Sequence, residues 1–123
     1  MQINIINQDI TTLEAEAIVN AANRHLSQGG GVCGAIHQKA GPELEKECLR
    51  LSRPMGGLLP GEAVITKGHE LPAKHVIHTL GPVWREQNPE QHDQLKEELA
   101  DCYRNSLAIA EKHQLRSVAF PSI

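Results

Sequence analysis

Gly29, Gly30 and Gly31 stand in a row, and Val32-Cys33-Gly34-Ala35-Ile36-His37 follows them without a break. The apolar residues of that second stretch, with Ala40 beyond it, fall at helical spacing, so the spacing predicts a helix from about Val32 to Ala40. Three glycines offer nothing to a core. They belong ahead of a helix where the backbone itself must approach something closely. The amide N–H groups that open a helix have no partner inside it and carry partial positive charge, so the expected guest is an anion. Asn20 and Asn23, just upstream, add uncharged amides that can both donate and accept at hydroxyl groups.

The rest of the chain reads as a scaffold for that bend. Ile3, Ile5 and Ile6 make a short β-rich opening that Asn7-Gln8-Asp9 interrupts, and Thr11 or Thr12 is suited to cap a brief helical turn. Residues 17–20 form an apolar run expected to be a buried strand. Gly41-Pro42 ends the first helix and starts a second, expected to reach Arg50, with Leu44, Cys48 and Leu49 on one face. Residues 53–61 read as a loop. "EAVITKG" and "KHVIHTLGP" read as strands, Asn88-Pro89 opens the longest helix with Leu95, Leu99, Cys102 and Leu107 at helical spacing, and "SVAF" is a last strand. Strands alternating with helices predict one α/β domain over residues 1–123, with a mixed, largely parallel sheet. In such sheets ligands gather at the carboxyl ends of strands. Asn20 to Asn23 and Pro121 to Ile123 occupy such ends.

Composition removes several alternatives. At 123 residues with 40% hydrophobic and 22% charged side chains, the chain has the balance of a folded domain rather than a disordered one. A net charge of −3 argues against bulk nucleic-acid binding, and 2% aromatic residues leave no stacking platform for single strands. No apolar run is long enough to span a membrane, and the first residues lack the pattern of a signal peptide. Three cysteines in dissimilar contexts point to a reducing compartment, the cytoplasm by default.

Gly29-x-Gly31-x-x-Gly34 formally matches a dinucleotide fingerprint. That motif needs a strand directly before it and an acidic residue ending the next strand. Here residues 23–28 intervene, and Glu45 and Glu47 fall in a helix. A Walker A loop is excluded because no Gly-Lys-Ser/Thr follows. What remains is a phosphate cradle closed by a helix start, with asparagines beside it and Asp9 as an acceptor for an exocyclic amino group or hydroxyl. A nucleoside diphosphate ligand uses all of these features.

"NQDIT", "IVNAAN", "GGGVCGAIH", "GEAVIT", "HVIHTLGPVW" and "SVAFPSI" resemble, in family order, a macro domain of the bacterial type related to O-acetyl-ADP-ribose deacetylases. The resemblance implies a three-layer α/β/α fold and ADP-ribose as ligand, with no cofactor. It implies Asp9 and Ile10 at the adenine and Asn20 and Asn23 near the distal ribose. Gly29, Gly30, Gly31, Val32, Cys33 and Gly34 would lie along the phosphate loop, with Ser122 and Ile123 across from it. In the hydrolytic branch, Asn23, Cys33 and His37 would surround the attacking water.

Three departures modify that expectation. Gln8 replaces the glycine usual before the adenine-binding aspartate. Cys33 stands where the hydrolytic branch often has aspartate, and a neutral thiol orients water poorly. It is read as a small loop residue rather than a reactive thiol, because His37, one turn on, is expected to pack or cap rather than act as its base. Finally, against the family pattern the sequence stops at Ile123, before a second phosphate loop of the form Ser-Thr-Gly-x-Tyr/Phe-Gly and a further strand and helices. The expectation is a domain truncated at its C-terminus, with the first strand detached and an open sheet edge through which it pairs with a second copy. Three readings follow: an ADP-ribose-binding module, a hydrolase of acyl or mono-ADP-ribosyl esters, or an inactive relic that self-associates.

Other residues take plainer readings. His75 and His78 should point to opposite faces of their strand, and Cys33 with His37 supplies only two ligands, so no metal site is assigned. Cys48 and Cys102 are expected in the core, and the charged stretch 85–101 on a solvated loop and helix face.

Overall fold

The computed structural model describes residues 3–83 and 89–123. Its four strands are β1 (Ala17–Ala21), β2 (Ala63–Lys67), β3 (His75–Thr79) and β4 (Val118–Ala119). Three helices accompany them: α1 (Gly31–Ala40), α2 (Pro42–Met55) and α3 (His92–Lys112). The sheet order is β2-β3-β1-β4. β1 runs parallel to β3 and β4, while β2 and β3 are antiparallel. This is the mixed α/β sheet expected from the sequence.

Alternation along β1 builds the three layers. Ile18 joins Ile36, Leu44, Cys48 and Val76 in a core beneath α1 and α2. Ala17 and Val19 face the other way, with Ile77, against Ala110 of α3. Gly31 and Gly34 give α1 a poor intrinsic propensity, each costing about 1 kcal/mol relative to alanine. Full burial of Ile36 contributes roughly 1.5–3 kcal/mol, so packing against the sheet rather than propensity holds α1 in place.

Several expectations need correction. Residues 3–8 form no strand: Ile5 is 99% exposed, and Ile3 and Ile6 are exposed with it. Among the described residues these isoleucines have no neighbouring strand to pair with, so their β-propensity has nothing to act on; Gln2, the expected strand's start, lies outside the described residues. The short 3-10 turn at Ile10–Thr12 is capped by Asp9, not by a threonine. α2 passes Arg50 and continues to Met55, tolerating Pro54 in its last turn before Gly56 closes it in the left-handed conformation. On α3 the buried stripe is Cys102, Ser106 and Ala110, while Leu107 is exposed. Small side chains let that helix approach the sheet. A 3-10 turn at Pro89–Gln91 precedes α3, and Asn88 and the run 84–88 lie outside the described residues.

Glu16 fastens the beginning of the sheet. Its backbone N–H donates to Ser117 Oγ, and its carboxylate accepts from the Arg116 N–H at 3.1 Å. Its carbonyl accepts from the His75 N–H. One residue therefore ties the starts of β1, β3 and β4.

Candidate functional site

β1 ends in Asn20-Ala21, and the chain then turns through residues 22–30 into α1. Asn23 makes that turn. Its Oδ1 accepts from the N–H groups of His25 and Ser27, both at 3.1 Å, and its Nδ2 donates to the Ser27 carbonyl at 2.8 Å. The amide is therefore committed to shaping the bend, and it also crowds Gly29, where an added Cβ would lie 3.3 Å from Nδ2.

Two glycines of the bend are fixed by geometry. Gly31 has φ of +56°, and a Cβ on Gly34 would stand 2.4 Å from the Gly29 carbonyl oxygen. Gly30 is different. It caps α1 in an extended conformation any residue can adopt, supplies no side-chain cap, and a Cβ there would meet nothing within 4 Å. The N–H groups of the first helical turn have no intrahelical acceptors, and they face this open ground together with the positive end of the helix. Val32 is exposed beside them.

Cys33 lies just inside the bend and is buried. Its Sγ is 3.5 Å from the Ser27 carbonyl and 3.6 Å from Asn20 Nδ2. Burial raises the pKa of the thiol, but the adjacent His37 ring, the Asn20 amide and the Gly29 backbone outweigh it and hold it below the ordinary cysteine value. His37 is 4% exposed, and neither of its ring nitrogens has a hydrogen-bond partner. Of the two roles expected of it, packing or capping, it takes the first: the ring is enclosed, its centroid 6.5 Å from that of His78, and caps nothing.

Behind the thiol runs a buried polar chain. Asn20 Nδ2 lies 3.1 Å from His78 Nδ1, and His78 Nε2 lies 3.0 Å from Thr66 Oγ1 and 3.8 Å from Cys48 Sγ. With the amide so oriented, His78 accepts through Nδ1 and donates through Nε2. Its ring is fully buried, and burial, followed by the charge of His37, pushes its pKa down to about 3. This network was not legible as a site: nothing in the spacing of Asn20, Thr66 and His78 shows that they meet.

The structure thus brings Asn20, Asn23, Gly29, Gly30, Gly31, Val32, Cys33, Gly34 and His37 together, in two tiers. Asn20 is wholly enclosed and reaches the bend only through the Cys33 thiol. Asp9 stands on the flank of α1 with Ile10 packed on the core, its Oδ1 accepting from the Thr11 N–H and hydroxyl. Those two bonds, the backbone one foremost, lower its pKa. Ser122 is exposed, whereas Ile123 turns its side chain into the core under α3 and so does not present it to the bend. His75 and His78 part company as expected, His75 lying 6.3 Å from the His113 ring. Two surface hollows, of about 340 and 310 Å³, lie against α3 and α2 and include no residue of the bend. Among the described residues no three His, Cys, Asp or Glu side chains gather as a metal site would require.

Comparison with known proteins decides the family. The family model described as "Macro domain" matches residues 19–123. The chain belongs to the macro domain family. A macro domain-containing protein of Chlorobaculum tepidum is 56% identical over 98% of this chain and 66% of its own length. An O-acetyl-ADP-ribose deacetylase of Citrobacter rodentium is 51% identical over 99% of this chain and 67% of its own. The chain spans about two thirds of the length of the curated relatives it matches. Among solved structures, the Oceanobacillus iheyensis macrodomain with ADP is 46% identical and superposes with a TM-score of 0.85, covering 94% of this chain and 60% of that one. The Trypanosoma brucei macrodomain in complex with ADP is 44% identical with a TM-score of 0.76, over 91% of this chain and 42% of its own. Within this macro domain the "IVNAAN" motif is the end of β1 and the start of the Asn23 turn, and "GGGVCGAIH" is the bend and the first seven residues of α1.

Proposed function

We propose that this macro domain binds ADP-ribose or ADP-ribosyl adducts, with the diphosphate against the bend at Gly30–Cys33. The observation that carries the reading is the uncapped start of α1, where Gly30 and Gly31 leave open ground beside unpaired amides. Variants of the Oceanobacillus iheyensis relative were made at an asparagine, at a glycine seven residues on and at an aspartate three residues further; the glycine variant was solved with ADPR. Asn23, Gly30 and Cys33 have that same spacing here, which supports placing the ligand at the bend. Asp9, with its second carboxylate oxygen uncommitted to Thr11, is the acceptor for the adenine amino group. Asn23 acts through the turn it builds, and Asn20 from behind the thiol. Ser122 borders the site from the end of β4.

Calorimetric titration with ADP-ribose tests this, using Gly30→Ser as the comparison. Serine is a favoured N-cap and fits the extended backbone of Gly30, so the fold is kept while the side chain occupies the phosphate ground and the amides. Saturable binding by the native chain, weakened at least tenfold in G30S, is expected. No heat with the native chain, or equal binding by G30S, overturns the reading.

A second reading, hydrolysis of O-acetyl or mono-ADP-ribosyl esters, is favoured by the proximity of His37 to Cys33 beneath the bend. Asn23, Cys33 and His37 would hold the water there. Timed release of acetate from O-acetyl-ADP-ribose separates it from binding alone. Pairing of two copies through the open edge of β4 is a third element of the proposal, and a reducing compartment, the cytoplasm, accords with three unpaired cysteines.

A further inference from the structure

We propose that Cys33 and His37 form a thiol–imidazole pair that makes Cys33 the modification site of this chain for small soft electrophiles, peroxides among them. The inference does not depend on ADP-ribose being the ligand.

Two independent observations meet at the thiol. The first is position: Cys33 is the third residue of α1, in the turn whose free N–H groups favour a negative sulfur. The Asn20 amide stands 3.6 Å away and can donate to a thiolate. The second is His37, one turn along the same helix and on the same face: its buried ring nitrogens hold no well-aligned hydrogen bond, yet the ring is near enough to the sulfur to favour the thiolate. An imidazole that gives up water without gaining a bond is uncommon in a folded protein, and such groups often carry a chemical duty. The thiol proton points at the Ser27 carbonyl, whose oxygen is 3.5 Å from Sγ, and rotation about the Cβ–Sγ bond would turn it toward the vacant imidazole nitrogen.

Among the described residues, the groups that act on the sulfur include no carboxylate. Asn20 on β1, Ser27 and Gly29 in the turn, and His37 on α1 contribute the groups around the sulfur. Beyond them lie His78 of β3, its ring centroid 6.5 Å from that of His37, and Cys48 of α2, which feels the charge of Cys33. Burial disfavours the charged form of His78, so that ring does not supply a competing positive charge beside the pair. The other two cysteines differ. Cys48 is enclosed and pushed up to about 12, burial being the main cause, and Cys102 donates its S–H to the Leu80 carbonyl at 3.2 Å.

The step balances without further reagents. The Cys33 proton passes to a His37 ring nitrogen and the thiolate attacks. With hydrogen peroxide a sulfur–oxygen bond forms, the O–O bond breaks, and the departing hydroxide takes the proton from His37 as water. Sulfur loses two electrons in becoming the sulfenic acid, and the peroxide is the oxidant, one oxygen ending on sulfur and the other in water. With iodoacetamide a sulfur–carbon bond forms, iodide leaves, and His37 passes its proton to solvent.

Iodoacetamide labelling of the whole native chain, with peptide mass mapping over time between pH 5 and 9, tests the pair. At pH 7, Cys33 should label at least tenfold faster than Cys48 and Cys102. Its rate–pH midpoint should lie below that of free cysteine in the same buffers. His37→Gln should slow Cys33 at pH 7 at least threefold and raise that midpoint. Labelling of Cys33 no faster than the other two, or a midpoint unmoved by H37Q, overturns the proposal. If H37Q does not fold, the native profile decides: a midpoint at or above that of free cysteine is fatal to it.

Discussion

The carbonyl oxygen of Gly29 occupies the place where a side chain on Gly34 would begin, 2.4 Å from an ideal Cβ. The bend and the first turn of α1 are thereby pressed together backbone to backbone. Gly34→Ala must push them apart, at a cost of roughly 1–3 kcal/mol, as for other overpacked positions. Urea unfolding should show that loss. An unchanged midpoint would mean that the bend yields freely and is not a fixed cradle.

Asn23 is bound so fully within its own turn that its removal should register in stability as well as in ligand binding. Asn23→Ala leaves the Ser27 N–H and carbonyl without their side-chain partner, a loss of about 1–3 kcal/mol. Amide exchange in residues 25–31 should accelerate with it. A variant as stable as the native chain, with slow exchange there, would return Asn23 to the role of a ligand contact alone.

Acid should weaken the fold through His78. Its folded pKa is lowered to about 3, from 6.5 for an ordinary imidazole, because burial disfavours the charged ring. Above pH 6.5 neither state binds the proton and the full stability is present. As the pH falls from 6.5 toward 3 the unfolded chain gains a proton that the folded chain refuses, so stability declines by about 2–3 kcal/mol at pH 4.5. Urea midpoints measured at pH 7.5 and 4.5 read this out. His78→Gln should flatten the decline, and an equal decline in H78Q would assign it to other groups.

If the anion ground and the thiol share one bend, occupying the first should shield the second. Saturating ADP-ribose should slow alkylation of Cys33 at least fivefold, and alkylated protein should bind ADP-ribose at least tenfold more weakly. Binding that leaves the labelling rate unchanged would separate the two sites.

Among the described residues β4 is an edge strand and Ile3, Ile5 and Ile6 are exposed, which should support association between copies of this 123-residue chain. Sedimentation from 1 to about 100 μM should show mass rising with concentration, the exposed edge being a template for a strand from another chain. Ile5→Lys should move the distribution toward monomer. A single monomeric species across that range would count against pairing.

The order of the elements and the identity of the bend were legible because they rest on local signals. An apolar run marks β1, β-rich stretches closed by glycine mark β2 and β3, and glycines followed by a helical pattern mark the start of α1. Residues 3–8 misled because strand propensity needs a neighbour, which a single segment cannot announce. The extension of α2 past Arg50 was hidden by Pro54, a breaker in most settings but bearable in a last turn. Within the site, Asn20 was visible as an amide at a strand end. Its enclosure was not, since that depends on His78 arriving from the neighbouring strand 58 residues later. His37 was seen as a residue of α1, and its lack of any partner emerges only when three layers close over it.

Glu16 and Ser117 are neighbours in space separated by 101 positions along the chain. During synthesis, β1 is therefore made early and completed late: one flank stays unpaired until residues 116–119 leave the ribosome. Until then the flank of β1 that pairs with β4 has no partner strand. A chain released before residue 116 would leave the backbone groups of Ala17 and Ile18 on that flank without their partners, a seam open to another strand.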